Sequence, residues 1–296
     1  MNIPFIKYSK IHYIFSGILA LGAVICILIF GLNFGIDFTG GSILEIKFEE
    51  RPESAIIQER LAEFELGEII VQPTEEQGII LRLKDINEDT HQQVLFALGE
   101  ISKVEEVRFE SVGPTIGKEL RQKTIFLIIL SIVAILIYIG VVFRKVSQPL
   151  PSWQYGLVSI LALFFDVLIT VGIFAWLGES HNVQFTIPIV AALLTILGYA
   201  INDKVIVFDR IRENLLRIKG EDFDNLVNQS LNQILTRSIS TGTCTLLVLM
   251  SIFFFGGETL RYFSLALIVG IVVGTYSSLF LASPALVSWL KWKRRV

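Results

Sequence analysis

The chain has 296 residues, 53% of them hydrophobic, with a mean hydropathy of +0.64 and a formal net charge of −3. That apolarity excludes an ordinary soluble domain, and the slight acidity leaves no basic patch for nucleic acid. The two cysteines, Cys26 and Cys244, fall inside apolar stretches far apart in the chain, so neither a disulfide nor a metal site is expected.

Spanning the hydrocarbon core takes about 20 mainly apolar residues. Six segments qualify: about 13–33, 124–143, 154–177, 184–207, 238–256 and 261–290. The first follows Lys7 and Lys10 and has the length of a full span, with no clear small-x-small cleavage site after it. It reads as a retained anchor.

Residues 34–121 form one polar insertion between the first two spans, with 19 Asp/Glu against nine Lys/Arg. In chain order it predicts a strand at 42–48, an amphipathic helix at 53–65, and short strands at 68–72 and 79–84 around a turn. A helix at 87–100 follows, with Asn87 as N-cap and acids in its first turn, and then a strand at 104–112. The order β-α-β-β-α-β is that of a ferredoxin-like split βαβ unit. The fold class is therefore a polytopic α-helical membrane protein of six spans with one α+β exported domain. The domains run 1–33, 34–121 and 122–296.

Lys and Arg in the short loops set the orientation. They cluster at Lys7 and Lys10, at Arg144 and Lys145, at Arg210, Arg212, Arg217 and Lys219, and at Lys291, Lys293, Arg294 and Arg295. The opposite loops hold only Arg261. Both termini are expected on the cytoplasmic side and the 34–121 domain on the far side, periplasmic in a Gram-negative cell. Between spans 4 and 5, segment 208–237 reads as cytoplasmic and amphipathic. Phe223, Leu226, Val227, Ser230, Leu231 and Ile234 share one face there, which suits either a helix on the bilayer surface or a solvated loop helix. Asp209 with Arg212 and Glu213 with Arg217 are spaced as intrahelical ion pairs. In the sixth span Gly270 and Gly274 form a G-x-x-x-G that permits close helix packing.

A carboxylate in a span costs about 2.5–3.5 kcal/mol on insertion scales, so it is paired, faces protein, or moves protons. Asp203 in span 4 is the principal case, with Arg237 opening span 5. Tyr199 lies on the face of Asp203, and Arg237, Ser240, Thr241, Cys244 and Thr245 make a mostly polar stripe on span 5. Two readings stand: an ion relay through Asp203 and Arg237, with Asp166, Tyr199 and Thr241 as further candidates, or a static Asp–Arg pair that fixes helix packing. Asp166 in span 3 reads either as part of that relay or as a protonated helix–helix hydrogen bond. No G-x-S-x-G, H-E-x-x-H or Walker-type motif occurs, so no enzyme activity and no cofactor is expected.

NFGIDFTGGSILEI (33–46), SVGPTIGKELRQK (111–123), INDKVIVFDRIREN (201–214), NQILTRSISTGTCTL (232–246) and FGGETLRYFSLALIVGIVVGTYSSLFLASP (255–284) together resemble the SecD/SecF family of the resistance-nodulation-division superfamily. The INDKVIVFDRIREN segment and the chain length suit its SecF branch. The resemblance implies pairing with SecD and use of the proton or sodium motive force to draw preproteins from the SecYEG translocon of the bacterial inner membrane. It also implies contact with YajC and YidC, and it assigns ion coupling to Asp203 and Arg237. The alternative is a small-molecule exporter subunit of the same superfamily, although one loop of about 90 residues is too small for a substrate funnel; a scaffold without ion flow is a third reading. Two departures from the family pattern stand out: Lys204 where Thr or Ser is usual, and Phe165 where His is often found. Lys204 points roughly 100° from Asp203 on a helix, and its stem is expected to carry the ammonium to the cytoplasmic headgroups.

Overall fold

The computed structural model describes residues 3–74, 77–143, 151–217 and 222–295. Of the cations used for orientation, Arg144, Lys145 and Lys219 lie outside this set, as do Glu75 and Glu76 of the predicted turn. The chain forms two compact units, Met1–Asn33 with Leu127–Val296, and Phe34–Phe126.

The second unit begins with the short helix α2 (Ile36–Thr39), which follows the first span, α1 (Ser9–Phe30). It continues as β1 (Gly41–Phe48), α3 (Ser54–Leu61), β2 (Ile70–Pro73), β3 (Gly78–Leu83), α4 (Glu88–Gly99) and β4 (Val104–Val112). The sheet is antiparallel in the order β2-β3-β1-β4, as a split βαβ unit requires. Leu44, Ile46 and Phe48 alternate inward along β1, and Ile57, Leu61, Ile79, Leu81, Val94 and Leu98 close the core over them. Asn87 caps α4: its side-chain oxygen accepts from the Thr90 amide at 2.9 Å. Helix α3 ends at Leu61, four residues short of the expected end. The chain turns there, and Phe64 and Leu66 pack into the core instead of extending a helical stripe.

The pair Gly40–Gly41 has a backbone reason. Both residues have positive φ, +75° and +127°. A Cβ at Gly40 would lie 3.0 Å from Pro114 Cα, and one at Gly41 2.9 Å from Leu83 O. The entry to β1 admits only glycine.

The first unit is helical. Besides α1 it contains most of α5 (Pro114–Phe143), then α6 (Ser152–His181), α7 (Ile187–Arg217), α8 (Phe223–Phe255), α9 (Glu258–Ser277), a π-helical turn (Ser278–Ala282) and α10 (Ser283–Arg295). Among the described residues six helical segments are long and apolar enough to cross a membrane: Ser9–Phe30, Pro114–Val142, Trp153–His181, Ile187–Arg217, Phe223–Phe255 and Leu260–Lys293.

Helix α7 is central, with buried residues on several sides, among them Ile189, Ala192, Ile196, Ala200, Val207 and Ile211. The small-residue stripe of α9 lies against it. A Cβ on Gly270 would fall 2.2 Å from Ile196 Cδ1, and one on Gly274 3.2 Å from Ala200 Cβ. The G-x-x-x-G thus brings two helices into close contact. On the other side of the unit Gly172 of α6 meets Ala23 of α1, where an added Cβ would sit 2.5 Å from the alanine methyl. Phe165 fills the same α1–α6 contact beside Ala23 and Ile169.

Segment 208–237 departs from the sequence expectation. No separate surface helix forms among its described residues: α7 continues to Arg217, and α8 starts at Phe223 and runs on unbroken. The predicted face of Phe223, Leu226, Val227, Ser230, Leu231 and Ile234 is buried, but by protein. Asn214 of α7 donates to Ser230 Oγ at 2.8 Å and to Gln233 Oε1 at 2.9 Å, tying the two helices together. The periodicity showed the apolar face correctly; it carried no information on whether lipid or protein covers it. The intrahelical pairs Asp209–Arg212, 3.5 Å, and Glu213–Arg217, 3.1 Å, form as spaced.

Candidate functional site on helix α7

Two consecutive residues of α7 face different neighbours. Asp203 turns towards α8, where Ser238 Oγ donates to its Oδ1 at 3.0 Å. Its Oδ2 is buried and has no hydrogen-bond partner among the described residues. Tyr199, one turn earlier on the same face, is hydrogen-bonded to Thr245 of α8. Gly242 of α8 lies beside it. This side is only partly closed: Tyr199 and Asp203 are half-buried, and Asn202 beside them is exposed.

Lys204 turns the other way. Its ammonium donates to Asp166 Oδ2 of α6 at 2.7 Å and to Ser277 Oγ at the end of α9 at 3.0 Å. Both charged side chains are 0% exposed. Gly274 lies next to the pair, at the contact of α9 with Asp166. Ser277 and Ser278 both donate to the Gly274 carbonyl, and the π-helical turn begins at Ser278. Such turns interrupt the regular i→i−4 ladder and are frequent at functional sites. Asp166 Oδ1 is buried without a hydrogen-bond partner among the described residues.

This corrects one sequence expectation and completes another. Lys204 does not snorkel to the headgroups; a carboxylate one helix away holds it inside the protein. Asp166 does make a helix–helix hydrogen bond, and its partner is the Lys204 ammonium, at 2.7 Å. The angular argument, that Lys204 and Asp203 face apart, holds; the destination of the lysine could not be read from α7 alone.

Arg237 and Thr241 also sit differently from the simplest expectation. Both side chains are exposed on α8, and among the described residues no ion pair joins Arg237 to Asp203. The contact to Asp203 comes from the next residue, Ser238. Thr241 Oγ1 donates to the Arg237 carbonyl at 2.9 Å, on its own helix, and Thr245 Oγ1 donates to the Thr241 carbonyl at 3.1 Å while also meeting Tyr199. The structure therefore brings together Tyr199, Asp203, Ser238 and Thr245, and separately Asp166, Lys204 and Ser277. Sequence reasoning missed Ser238 and Ser277 as partners. The signal available for Ser238 was its spacing: with Gly242 and Thr245 it stands at i, i+4 and i+7, one face of the helix.

Known proteins resemble this chain over nearly its whole length. The family model for the C-terminal region of the protein-export membrane proteins SecD/SecF matches residues 92–292, and the SecD/SecF GG motif matches residues 27–50, which include Gly40 and Gly41. The protein translocase subunit SecF of Thermobaculum terrenum is 41% identical over 97% of this chain and 94% of its own length. That of Haemophilus influenzae is 38% identical over 94% of this chain and 83% of its own. The crystal structure of SecDF, a translocon-associated membrane protein from Thermus thermophilus, superposes with a TM-score of 0.85 at 34% identity. It covers 98% of this chain, which spans 39% of that longer protein.

Proposed function

The chain belongs to the SecD/SecF family of protein-export membrane subunits, and we propose that it works as an accessory subunit of the bacterial Sec translocase. In this reading it is a multi-pass protein of the inner membrane that pairs with SecD and uses an ion gradient to promote preprotein export through SecYEG. The observation that carries the ion-driven part is Asp203. Its carboxylate lies within a helix that crosses the membrane, with one oxygen held by Ser238 and the other buried without a partner. Such a group takes up a cation at low cost and releases it when its surroundings change. One charge crossing 100 mV releases roughly 2.3 kcal/mol, enough over several charges to drive a conformational cycle.

Arg237 serves the same step from outside the helix pair. An exposed guanidinium with Thr241 one turn away is costly against lipid tails, so this edge of α8 faces the SecD subunit. Movement of α8 against α7 brings Arg237 to the ionised Asp203 and withdraws it when the carboxyl is neutral. Both termini are cytoplasmic, following Lys7, Lys10, Arg210, Arg212, Arg217, Lys291 and Lys293, and the sheet unit is periplasmic.

Asp203→Asn is expected to abolish gradient-stimulated export in cells depleted of the native subunit, while the variant still accumulates in the membrane and co-purifies with SecD. Normal export by that variant would leave a scaffold as the better reading. Cysteines placed at Glu88 and at Arg217 are expected to react with an impermeant thiol reagent from opposite sides of the membrane; reaction from one side alone contradicts the topology.

A further inference from the structure

We propose that the Lys204 ammonium is a tethered cation occupying an oxygen-lined seat between α6 and α9, and that it thereby restricts ion exchange in this subunit to Asp203. The inference rests on the ion-driven reading above. The seat consists of the Asp166 carboxylate and the Ser277 hydroxyl, which itself donates to the Gly274 carbonyl. A buried carboxylate beside a hydroxyl oxygen is the beginning of a donor set for a hard cation. Asp166 Oδ1 adds a buried oxygen that no protein group satisfies. The π-helical turn at Ser278–Ala282 departs from the regular ladder directly beside this seat.

The lysine fills the seat from α7. With its stem fully buried and its ammonium 2.7 Å from Oδ2 and 3.0 Å from Ser277 Oγ, no alkali cation fits beside it without like-charge repulsion in a site that water does not reach. The charge on α6 is cancelled within the molecule and stays cancelled through a transport cycle. Asp203, one residue away and facing α8, is then the carboxylate whose charge a passing cation changes. Lys204 is a specificity-determining residue in this sense: it removes a sodium-type site from the subunit rather than carrying the ion itself.

The test replaces the tethered cation by a free one. Lys204→Thr removes the ammonium and adds one more oxygen to the seat. The purified full-length wild-type chain, Lys204→Thr, and Lys204→Thr combined with Asp166→Asn or with Asp203→Asn are compared in sodium chloride and in choline chloride of equal ionic strength. Thermal unfolding and binding of radioactive sodium are read. Wild type is expected to unfold at the same temperature in both salts and to bind no sodium specifically. Lys204→Thr is expected to bind sodium and to unfold roughly 5 °C higher in sodium than in choline. Adding Asp166→Asn should remove that response, and adding Asp203→Asn should leave it. The proposal is overturned if wild type shows the same sodium response, if Lys204→Thr shows none or is equally unfolded in both salts, or if the response follows Asp203 instead of Asp166. None of these readings depends on export, so loss of the inference and loss of the export role are separate results.

Discussion

The two sides of α7 treat charge in opposite ways. Towards α6 and α9, Lys204, Asp166 and Ser277 are all buried completely, and the two formal charges cancel at 2.7 Å. Towards α8, Asp203 is half-buried, receives one neutral hydrogen bond and has no charged partner among the described residues, while Arg237 of α8 is exposed. Placing charge inside the protein does not by itself mark function. In the closed pair a tethered ammonium cancels the carboxylate charge in the resting fold and leaves nothing to exchange, whereas Asp203, next to a partly open helix face and held by a neutral hydroxyl, carries a charge that only a mobile proton or cation cancels. The neighbouring residues on one helix thus separate a structural use of charge from a working one.

Breaking the closed side should have the largest effect. Asp166→Asn leaves a buried ammonium without its anion and is expected to destabilise the protein by about 3–5 kcal/mol; Asp166→Asn with Lys204→Met should recover most of that loss. Thermal unfolding in detergent of the single and double variants measures both, and a single variant as stable as wild type would show that the pair contributes nothing to the fold. A smaller loss is expected from the packing that encloses the pair. Gly270→Ala forces Ile196, itself buried, out of its position. A cost of about 1–3 kcal/mol follows, and it should be additive with changes in the sheet unit. In that unit Asn87→Ala removes the α4 cap and should cost about 1 kcal/mol, seen as earlier amide exchange across α4 with the helices of the membrane unit unaffected. The smallest change is on the open side. The amide oxygen in Asp203→Asn still accepts from Ser238, so stability should move by no more than about 0.5 kcal/mol while export is lost. A large loss of stability from Asp203→Asn would erase the contrast between the two sides.

Much was written into the sequence locally. Apolar runs of span length, the alternation along β1, Asn87 before an acidic first turn and the glycine spacing on α9 each name an element or a close contact through short-range geometry, and each has its counterpart in the structure. Helical periodicity likewise separated the directions of Asp203 and Lys204 and grouped the inward face of 223–234. What covered those faces was decided only by tertiary structure. Lys204 meets a carboxylate 38 positions earlier in the chain, and Ser277 lies 73 positions later. For a lone lysine in a span, snorkelling is the cheaper course; with an anion within reach across a helix contact, Coulomb attraction and a hydrogen bond in a poorly polarisable interior outweigh it. Periodicity specifies the direction in which a side chain leaves its own helix. The neighbour that receives it is set by how helices distant in sequence pack, and here that packing holds Lys204 in an ion pair and gives Asp203 a neutral hydroxyl.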